Sequence, residues 1–196
     1  MPVLSWRRPK DPYQYLRDNP GMKWTPYIPL PLGPIQYLEI GVHKAINVVD
    51  VLKSYAAHPE SVVHCVDPWM DYDAYPEYKG EIQSIYHTAM RAIEKTGQAH
   101  KCKIYRDLSD NVIPTFPDNY FDIIFIDGNH ETEYVYRDGV MSIEKVKPGG
   151  YLIFDDYTGA WPQTIAGIDK FLDEYKDRLG PHTVSPIYGQ VFVRKL

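Results

Sequence analysis

Cysteine is scarce in this sequence of 196 residues. The two cysteines, Cys65 and Cys102, lie in apolar, strand-like stretches and form neither a CxxC motif nor a Cys/His spacing typical of zinc sites. We therefore expect no metal site built on thiolates, and we expect both side chains to be buried and reduced.

Positive charge is scarce as well. The chain has 21 lysines and arginines against 26 acidic residues, a net charge of −5, and no lysine or arginine run longer than two residues. A protein that binds nucleic acid normally needs a basic face to displace the counterions of the phosphates. The composition therefore argues against a nucleic-acid partner.

Long apolar runs are also missing. No stretch approaches the roughly 18 apolar residues of a membrane-spanning helix. The opening MPVLSWRRPKDP lacks the apolar region of a signal peptide. We expect a soluble, cytoplasmic protein without a membrane partner.

Proline and tyrosine are abundant, at 17 residues each, and the prolines are unevenly spread. Eight of them fall in residues 1–34, which therefore cannot be mainly helix or central sheet. This segment is predicted to be a proline-rich N-terminal arm or cap, with a short helix possible over 11–19. It packs on the domain or contacts a partner chain, which would make the protein a homo-oligomer.

Residues 35–196 are expected to form one α/β domain, because strand-like and helix-like segments alternate. The strands are predicted at 35–41, 61–69, 100–107, 121–128 and 151–157, the helices at 43–58, 81–97, 131–150 and 163–180, and a hairpin at 182–196 around Tyr188 and Gly189. This order predicts a doubly wound, Rossmann-like, mostly parallel sheet with a C-terminal antiparallel hairpin.

The end of the first strand has features of a ligand-binding turn. Gly41 allows close approach of the backbone, but Val42 and His43 follow it where a dinucleotide fingerprint needs a second glycine, so pyrophosphate binding is poorly supported. Glu39 suits a cationic amino group, and Asp67, at the end of the second strand, suits ribose hydroxyls. Both acids also fit ordinary turns; together they favour a pocket for a positively charged nucleoside.

Two later strands end on carboxylates. Asp127 follows one strand, and Asp155 and Asp156 follow the next. If these strands are neighbours, about 4.8 Å apart, the acids converge and need a cation such as Mg²⁺, Mn²⁺ or Ca²⁺. Alternation points Asp155 and Asp156 to opposite faces, so both can bind only if the strand has already ended. The alternatives are a plain turn at Asp127 and a helix cap at Asp156.

His130 lies three residues after Asp127, in the loop that opens the next helix. A histidine at this position can take a proton from a bound substrate at neutral pH. The alternative is a helix cap or a supporting contact.

Four motifs carry a family resemblance. LEIG (38–41), CVDPW (65–69), IDGNH (126–130) and KPGGYLIFDDY (147–157) resemble those of class I S-adenosylmethionine-dependent methyltransferases. The branch is the small metal-dependent sugar O-methyltransferases, similar to the macrocin and mycinamicin enzymes, and the match covers roughly 35–178.

For the cofactor, the resemblance implies that Glu39 and Gly41 hold the methionine part of S-adenosylmethionine, Asp67 the ribose, and Ser109 the adenine. Trp69 and Asp127 are also expected beside the cofactor. Ala45 departs from the family, because relatives usually carry glycine there, which tightens the turn below the methionine part.

For the chemistry, the resemblance implies Mg²⁺ on Asp127, Asp155 and Asp156, with His130 as base and Asp127 at the reacting centre. We expect two vicinal hydroxyls of a sugar or glycan to chelate the metal while His130 removes a proton and the oxygen attacks the methyl group. Residues 67–78 would form a lid, or an ordinary loop.

Three other functions stay open at this point. A catechol-type O-methyltransferase uses the same metal chemistry on an aromatic diol. In the expected lid, Trp69, Tyr72 and Tyr75 instead suit stacking on the ring of a sugar acceptor. A noncatalytic nucleotide-binding module would keep only the fold. A nicotinamide dehydrogenase is disfavoured because the second glycine is missing.

Overall fold

The computed structural model of the chain describes residues 23–71 and 79–196. The helix expected over 11–19, most of the proline-rich arm, and Tyr72 and Tyr75 of the expected lid lie outside these residues.

One sheet of seven strands forms the centre of the described structure. The strands are β1 (Gln36–Ile40), β2 (Val62–Val66), β3 (Cys102–Tyr105), β4 (Phe121–Ile126), β5 (Val146–Phe154), β6 (Thr183–Val184) and β7 (Val191–Arg194). Their order is β3-β2-β1-β4-β5-β7-β6. The first five are parallel, whereas β7 runs antiparallel to both β5 and β6. This confirms the predicted Rossmann-like sheet with its C-terminal hairpin.

Helices cover both faces of the sheet. They are α1 (Ile46–Lys53), α2 (Ile82–Lys95), α3 (Ser109–Val112), α4 (Thr132–Lys145) and α5 (Pro162–Glu174). On one face α1 and α2 bury apolar side chains such as Val48 and Ile85, and on the other α4 and α5 bury Val135, Ile168 and Phe171. No helix in the described ranges is long and apolar enough to cross a membrane.

Several predicted helix boundaries are wrong: the helices expected over 43–58 and 163–180 end early, at Lys53 and Glu174. The helix expected over 131–150 ends at Lys145, and β5 already begins at Val146. Proline 148 has no N–H for a helix, and Gly149 adopts φ 82°, so the KPGG stretch enters the sheet instead of capping the helix. The helix expected from 43 begins only at Ile46, because Ala45 has the left-handed conformation that ends the preceding turn.

The sheet order places a binding crevice at β1. This strand pairs with β2 on one side and with β4 on the other, so the chain reverses its winding direction there. Loops that follow β1 and β4 therefore diverge to opposite faces and leave a crevice at the carboxyl edge. The predicted site residues all lie in or near this edge.

The described part of the predicted arm, residues 23–34, packs on the domain. Trp24 and Ile28 are 1% and 2% exposed and belong to the same apolar cluster as Tyr37 and Tyr55. The Trp24 indole donates a hydrogen bond to Gln190 Oε1 at 3.0 Å, and Tyr55 Oη donates one to the Ile28 carbonyl at 2.6 Å. This segment is thus part of the core.

Candidate active site

A cavity of about 660 Å³ opens at the carboxyl edge of the sheet. The residues that follow four different strands line it, namely Gly41, Asp67, Asp127 and Asp156. The volume lies in the range of about 300–1,000 Å³ that is usual for small-molecule sites. The cavity is therefore the candidate ligand-binding site.

Gly41 is confined by the neighbouring strand. It adopts φ 83°, and a Cβ added there would lie 1.8 Å from the backbone oxygen of Asp127. The loops after β1 and β4 therefore touch through bare backbone, which only glycine permits. Ala45, a few residues on, adopts φ 61° with its methyl group fully buried. The left-handed conformation costs a residue other than glycine about 1–2 kcal/mol, which agrees with the glycine that the resemblance implies there, and burial of the methyl group partly offsets that strain.

Asp67 holds the turn after β1 in place. Its Oδ2 accepts hydrogen bonds from the backbone N–H groups of Val42 and His43 at 2.9 and 2.8 Å, and Oδ1 accepts one from Trp69 N at 2.7 Å. The carboxylate also lines the cavity, as a ribose-binding residue must. Its lone pairs that are not already engaged remain available to a ligand.

Trp69 does not lie where stacking on a ligand requires it. Its indole is 1% exposed, donates a hydrogen bond to the His43 carbonyl at 2.9 Å and packs edge-on against Tyr86. It is not among the residues that line the cavity. The placement thus disagrees with the expected contact to cofactor or sugar: Trp69 instead fixes the turn after β1 from below.

Glu39 is buried beneath the cavity and does not line it. Its Oε2 accepts hydrogen bonds from Tyr37 Oη at 2.6 Å and from Asn47 Nδ2 at 2.7 Å. Burial raises the pKa of Glu39 to about 8, and the two hydrogen bonds only partly oppose that effect. The Oδ1 atom of Asn47 is buried and accepts no hydrogen bond in the described structure. The carboxyl group of Glu39 and Oδ1 of Asn47 are hydrogen-bond acceptors that suit an amino group. The expected contact between Glu39 and the methionine part of the cofactor stays a prediction.

Asp127, His130 and Asp156 come together at one end of the cavity. One donor atom from each lies within 4.8 Å of the others, and His130 Nε2 is 3.0 Å from Asp156 Oδ2 and 3.9 Å from Asp127 Oδ1. Burial and the neighbouring acids Asp155 and Asp156 raise the pKa of Asp127. Burial would lower the pKa of His130, but the two carboxylates outweigh it and raise the value to about 9.

Asp155 is not part of this group, contrary to the expected ligand set. β5 ends at Phe154, and Asp156 then takes a left-handed conformation with φ 58°. Asp155 forms a hydrogen bond with Gln190, lies near the positive charge of Lys23, and does not line the cavity. β5 thus ends before Asp155 and Asp156, which was the condition for both acids to bind one cation. In the structure, however, His130 and not Asp155 lies beside Asp127 and Asp156.

Exposed apolar side chains surround the mouth of the cavity. Met70, Leu108, Tyr134 and Trp161 line it and are 38–46% exposed. The Trp161 ring lies 4.2 Å from the His130 ring, between centroids, at an angle of 42°. A flat or apolar face of a substrate can therefore pack beside the group of two acids and a histidine.

Sequence reasoning missed Trp161 and Asp138, which both line this cavity. Asp138 is 4% exposed and lies on the buried face of α4 with Val135 and Ser142. An acid among the apolar positions of an amphipathic helix was the available signal. Ser109 was expected in the site, and it lines the cavity next to Asp138.

Comparison with known families identifies the domain. A family described as "Methyltransferase domain" matches residues 38–157, more than half of the chain. A protein of Acanthamoeba polyphaga mimivirus is 38% identical over 63 residues, which are 31% of this chain and 28% of that protein. The chain thus spans less than a third of that curated relative.

Two solved structures share the fold. The O-methyltransferase TomG from Streptomyces achromogenes, solved with S-adenosylmethionine, has a TM-score of 0.60 at 16% identity, over 82% of this chain and 72% of its own. An O-methyltransferase from Bacillus cereus, solved with S-adenosylhomocysteine, also has a TM-score of 0.60 at 16% identity, over 99% and 94% of the two chains. At such identity the likeness shows the fold alone.

Proposed function

Since the chain belongs to the methyltransferase-domain family that matches residues 38–157, we propose that it is an S-adenosylmethionine-dependent O-methyltransferase with a divalent cation and a sugar or glycan hydroxyl as acceptor. The two O-methyltransferases with this fold, one solved with S-adenosylmethionine and one with S-adenosylhomocysteine, support the choice of cofactor. The cation and the acceptor rest on the residues of the cavity.

One observation carries the proposal. The backbone turn held by Asp67 and the group formed by Asp127, His130 and Asp156 open into the same cavity. A cofactor that lies along the turn would present its reactive end to the acidic group. Methyl transfer needs this arrangement, because donor and acceptor must be held in line and in contact.

The acidic group fits a divalent cation. The carboxylates of Asp127 and Asp156 offer oxygen atoms within 4.8 Å of each other, and oxygen ligands of this kind suit Mg²⁺ or Mn²⁺. When bound, the cation would satisfy the charge of Asp127 and Asp156 and lower the pKa of a hydroxyl that it contacts. Asp155 is left out of this set, since its side chain forms a hydrogen bond with Gln190 and does not line the cavity.

His130 is proposed as the group that accepts the proton of the acceptor hydroxyl. Beside Asp156, at 3.0 Å, its pKa is about 9, so the imidazole is protonated at neutral pH. No lysine or arginine in residues 23–71 and 79–196 forms an ion pair with Asp127 or Asp156. A general base must be neutral before it can act. His130 therefore serves as base at Nε2 only in the state in which its contact with Asp156 is broken.

A sugar hydroxyl is proposed as the acceptor because a polar group and an aromatic face adjoin at the mouth of the cavity. The Trp161 ring, 40% exposed, lies next to His130, where it can pack on the C–H face of a sugar while hydroxyls reach the acids. An aromatic diol could use the same ring, so the catechol-type activity is the second candidate. The exposed rim of Met70 and Leu108 favours that candidate.

The test is methyl transfer from S-adenosylmethionine to a panel of deoxysugars, glycans and catechols, read by mass spectrometry with and without Mg²⁺. We expect a sugar product, with activity lost on addition of EDTA and restored by Mg²⁺. Asp156→Asn should lower the rate by about 10²-fold or more, as loss of a metal ligand or its partner does. The matched control is Asp118→Asn, since Asp118 is exposed and pairs with Lys145 away from the cavity.

A catechol product alone would replace the acceptor in this proposal and keep the chemistry. Full activity of the protein in EDTA would remove the cation. Failure to bind S-adenosylhomocysteine by calorimetry would remove the cofactor, and with it the proposed function.

A further inference from the structure

Gln190 is a buried polar side chain that connects the segment before β1 to the end of β5. It is 1% exposed and directly precedes β7. Its Oε1 accepts a hydrogen bond from the indole N–H of Trp24 at 3.0 Å, and its side chain also forms a hydrogen bond with Asp155. A carboxylate only accepts hydrogen bonds, so the amide N–H₂ group of Gln190 donates to Asp155. Both ends of the amide are therefore engaged, and its orientation is fixed.

Asp155 in turn holds the backbone of Asp156. Its Oδ1 accepts a hydrogen bond from the backbone N–H of Asp156 at 2.9 Å. Asp156 adopts φ 58°, a left-handed conformation that costs a residue other than glycine about 1–2 kcal/mol. Such a conformation persists only where the surrounding structure stabilises it. The side chain of Asp155 supplies part of that stabilisation.

Backbone contacts anchor the same turn on both sides of Asp156. The N–H of Asp155 donates to the Ile126 carbonyl at 3.0 Å, and the N–H of Tyr157 donates to the Gly189 carbonyl at 2.7 Å. Between these two anchors, the N–H of Asp156 is held by a side chain instead of by the sheet. The direction in which the Asp156 carboxylate points therefore depends on the position of the Asp155 side chain.

We propose that Gln190 is a positioning residue: by holding the carboxylate of Asp155 against the N–H of Asp156, it directs the Asp156 side chain into the cation site. This inference rests on the proposed function, because the cation belongs to it. Gln190 does not line the cavity and acts through Asp155. Hydrogen bonds that orient a metal ligand from outside typically change metal affinity about 10- to 100-fold.

The experiment reverses the polarity of the hydrogen bond between positions 190 and 155. In Gln190→Glu a carboxylate faces the carboxylate of Asp155, and in Asp155→Asn an N–H₂ group faces that of Gln190. Each single variant should weaken Mn²⁺ binding about 10-fold or more. Calorimetry on the full chain, with S-adenosylhomocysteine present, measures the dissociation constant of Mn²⁺.

The double variant Gln190→Glu/Asp155→Asn restores a donor and an acceptor. The amide at position 155 can donate to the carboxylate at position 190, which also accepts from Trp24, while its oxygen still accepts from Asp156 N. The double variant should bind Mn²⁺ within about threefold of the wild type, because the two changes compensate each other. A residue that merely fills space gives no such recovery.

Gln98→Glu is the matched control. It adds the same charge, but Gln98 precedes β3, at the edge of the sheet opposite the cavity, and does not line the cavity. Its affinity for Mn²⁺ should be that of the wild type. The affinity for S-adenosylhomocysteine should stay within about twofold in all four variants, since the changes lie apart from the turn after β1.

Wild-type Mn²⁺ affinity in Gln190→Glu would overturn the inference. A loss in Asp155→Asn that Gln190→Glu does not relieve would also overturn it, since Asp155 would then bind the cation itself. If Gln190→Glu does not fold, Asp155→Asn and the double variant carry the comparison. A wild-type protein that binds S-adenosylhomocysteine but not Mn²⁺ would remove the cation from the proposed function, and this inference with it, before any variant is made.

Discussion

At the scale of single residues, Trp161 tests how the acceptor is held. Its ring is 40% exposed beside His130 and lines the cavity. Trp161→Ala should raise the acceptor KM about 2- to 13-fold, since an aromatic contact contributes about 0.5–1.5 kcal/mol beyond its buried area. The dissociation constant of S-adenosylhomocysteine should stay within twofold. Steady-state kinetics and calorimetry measure the two quantities.

The control for Trp161 is Ile187→Ala, an apolar residue 49% exposed in the loop between β6 and β7. It does not line the cavity, so both constants should be those of the wild type. A loss of cofactor affinity in Trp161→Ala equal to the loss for the acceptor would contradict a role in acceptor binding.

Glu39 should make the stability of the unliganded protein depend on pH. Burial raises its pKa from 4.5 to about 8, so folding favours the protonated form. The contribution of Glu39 is then fully present below about pH 4.5 and is lost as the pH rises through 8. Glu39→Gln resembles the protonated acid. Its free energy of unfolding, relative to that of the wild type, should therefore rise by at least about 1 kcal/mol between pH 5 and pH 9.

Urea denaturation at the two pH values measures this gain as the difference between variant and wild type. The difference is needed because Asp138, whose pKa is also raised, titrates in both proteins. Parallel pH profiles of the two proteins would mean that Glu39 is ionised in the folded state throughout.

At the scale of elements, the contact between the loops after β1 and β4 depends on Gly41. A methyl group there would lie 1.8 Å from the Asp127 oxygen, and φ is 83°. Gly41→Ala should lower the free energy of unfolding by more than about 4 kcal/mol, because backbone must move apart in addition to the left-handed strain. Gly80→Ala is a matched control: φ is 80° and nothing lies within 4 Å of the added Cβ.

Gly80→Ala should lower the free energy of unfolding by only about 1–2 kcal/mol, the strain of the left-handed conformation. Chemical denaturation of both variants separates strain from collision. Similar losses in the two variants would show that the loops after β1 and β4 do not meet as described.

At the scale of the whole molecule, residues 23–34 tie the chain before β1 to the core. Trp24 is 1% exposed and packs against Tyr37, Tyr55 and Phe125. Trp24→Ala should lower the free energy of unfolding by about 3–5 kcal/mol in a single transition. Leu32→Ala, whose side chain is fully exposed, should change it by less than about 0.5 kcal/mol. A small loss for Trp24→Ala would make this segment a detachable arm.

The sequence predicts more of the fold than of the site. Apolar periodicity located all five parallel strands and both strands of the hairpin, because burial on two faces leaves a strong pattern. The predicted helix boundaries are wrong at Ala45 and Val146, where the backbone conformation of single residues decided the boundary. The short α3 went unnoticed, since four residues carry no periodicity.

The sequence alone determined the strands of the sheet, the carboxyl edge at which the cavity opens, and the carboxylates at the strand ends. Each of these features is encoded in a short stretch of neighbouring residues. Only the tertiary structure decided which side chains meet there. One left-handed residue after β5 separates Asp155 from Asp156 and joins His130 to the acids, while the packing of α4 carries Asp138 into the cavity. Such choices depend on contacts between distant segments, which no local pattern contains.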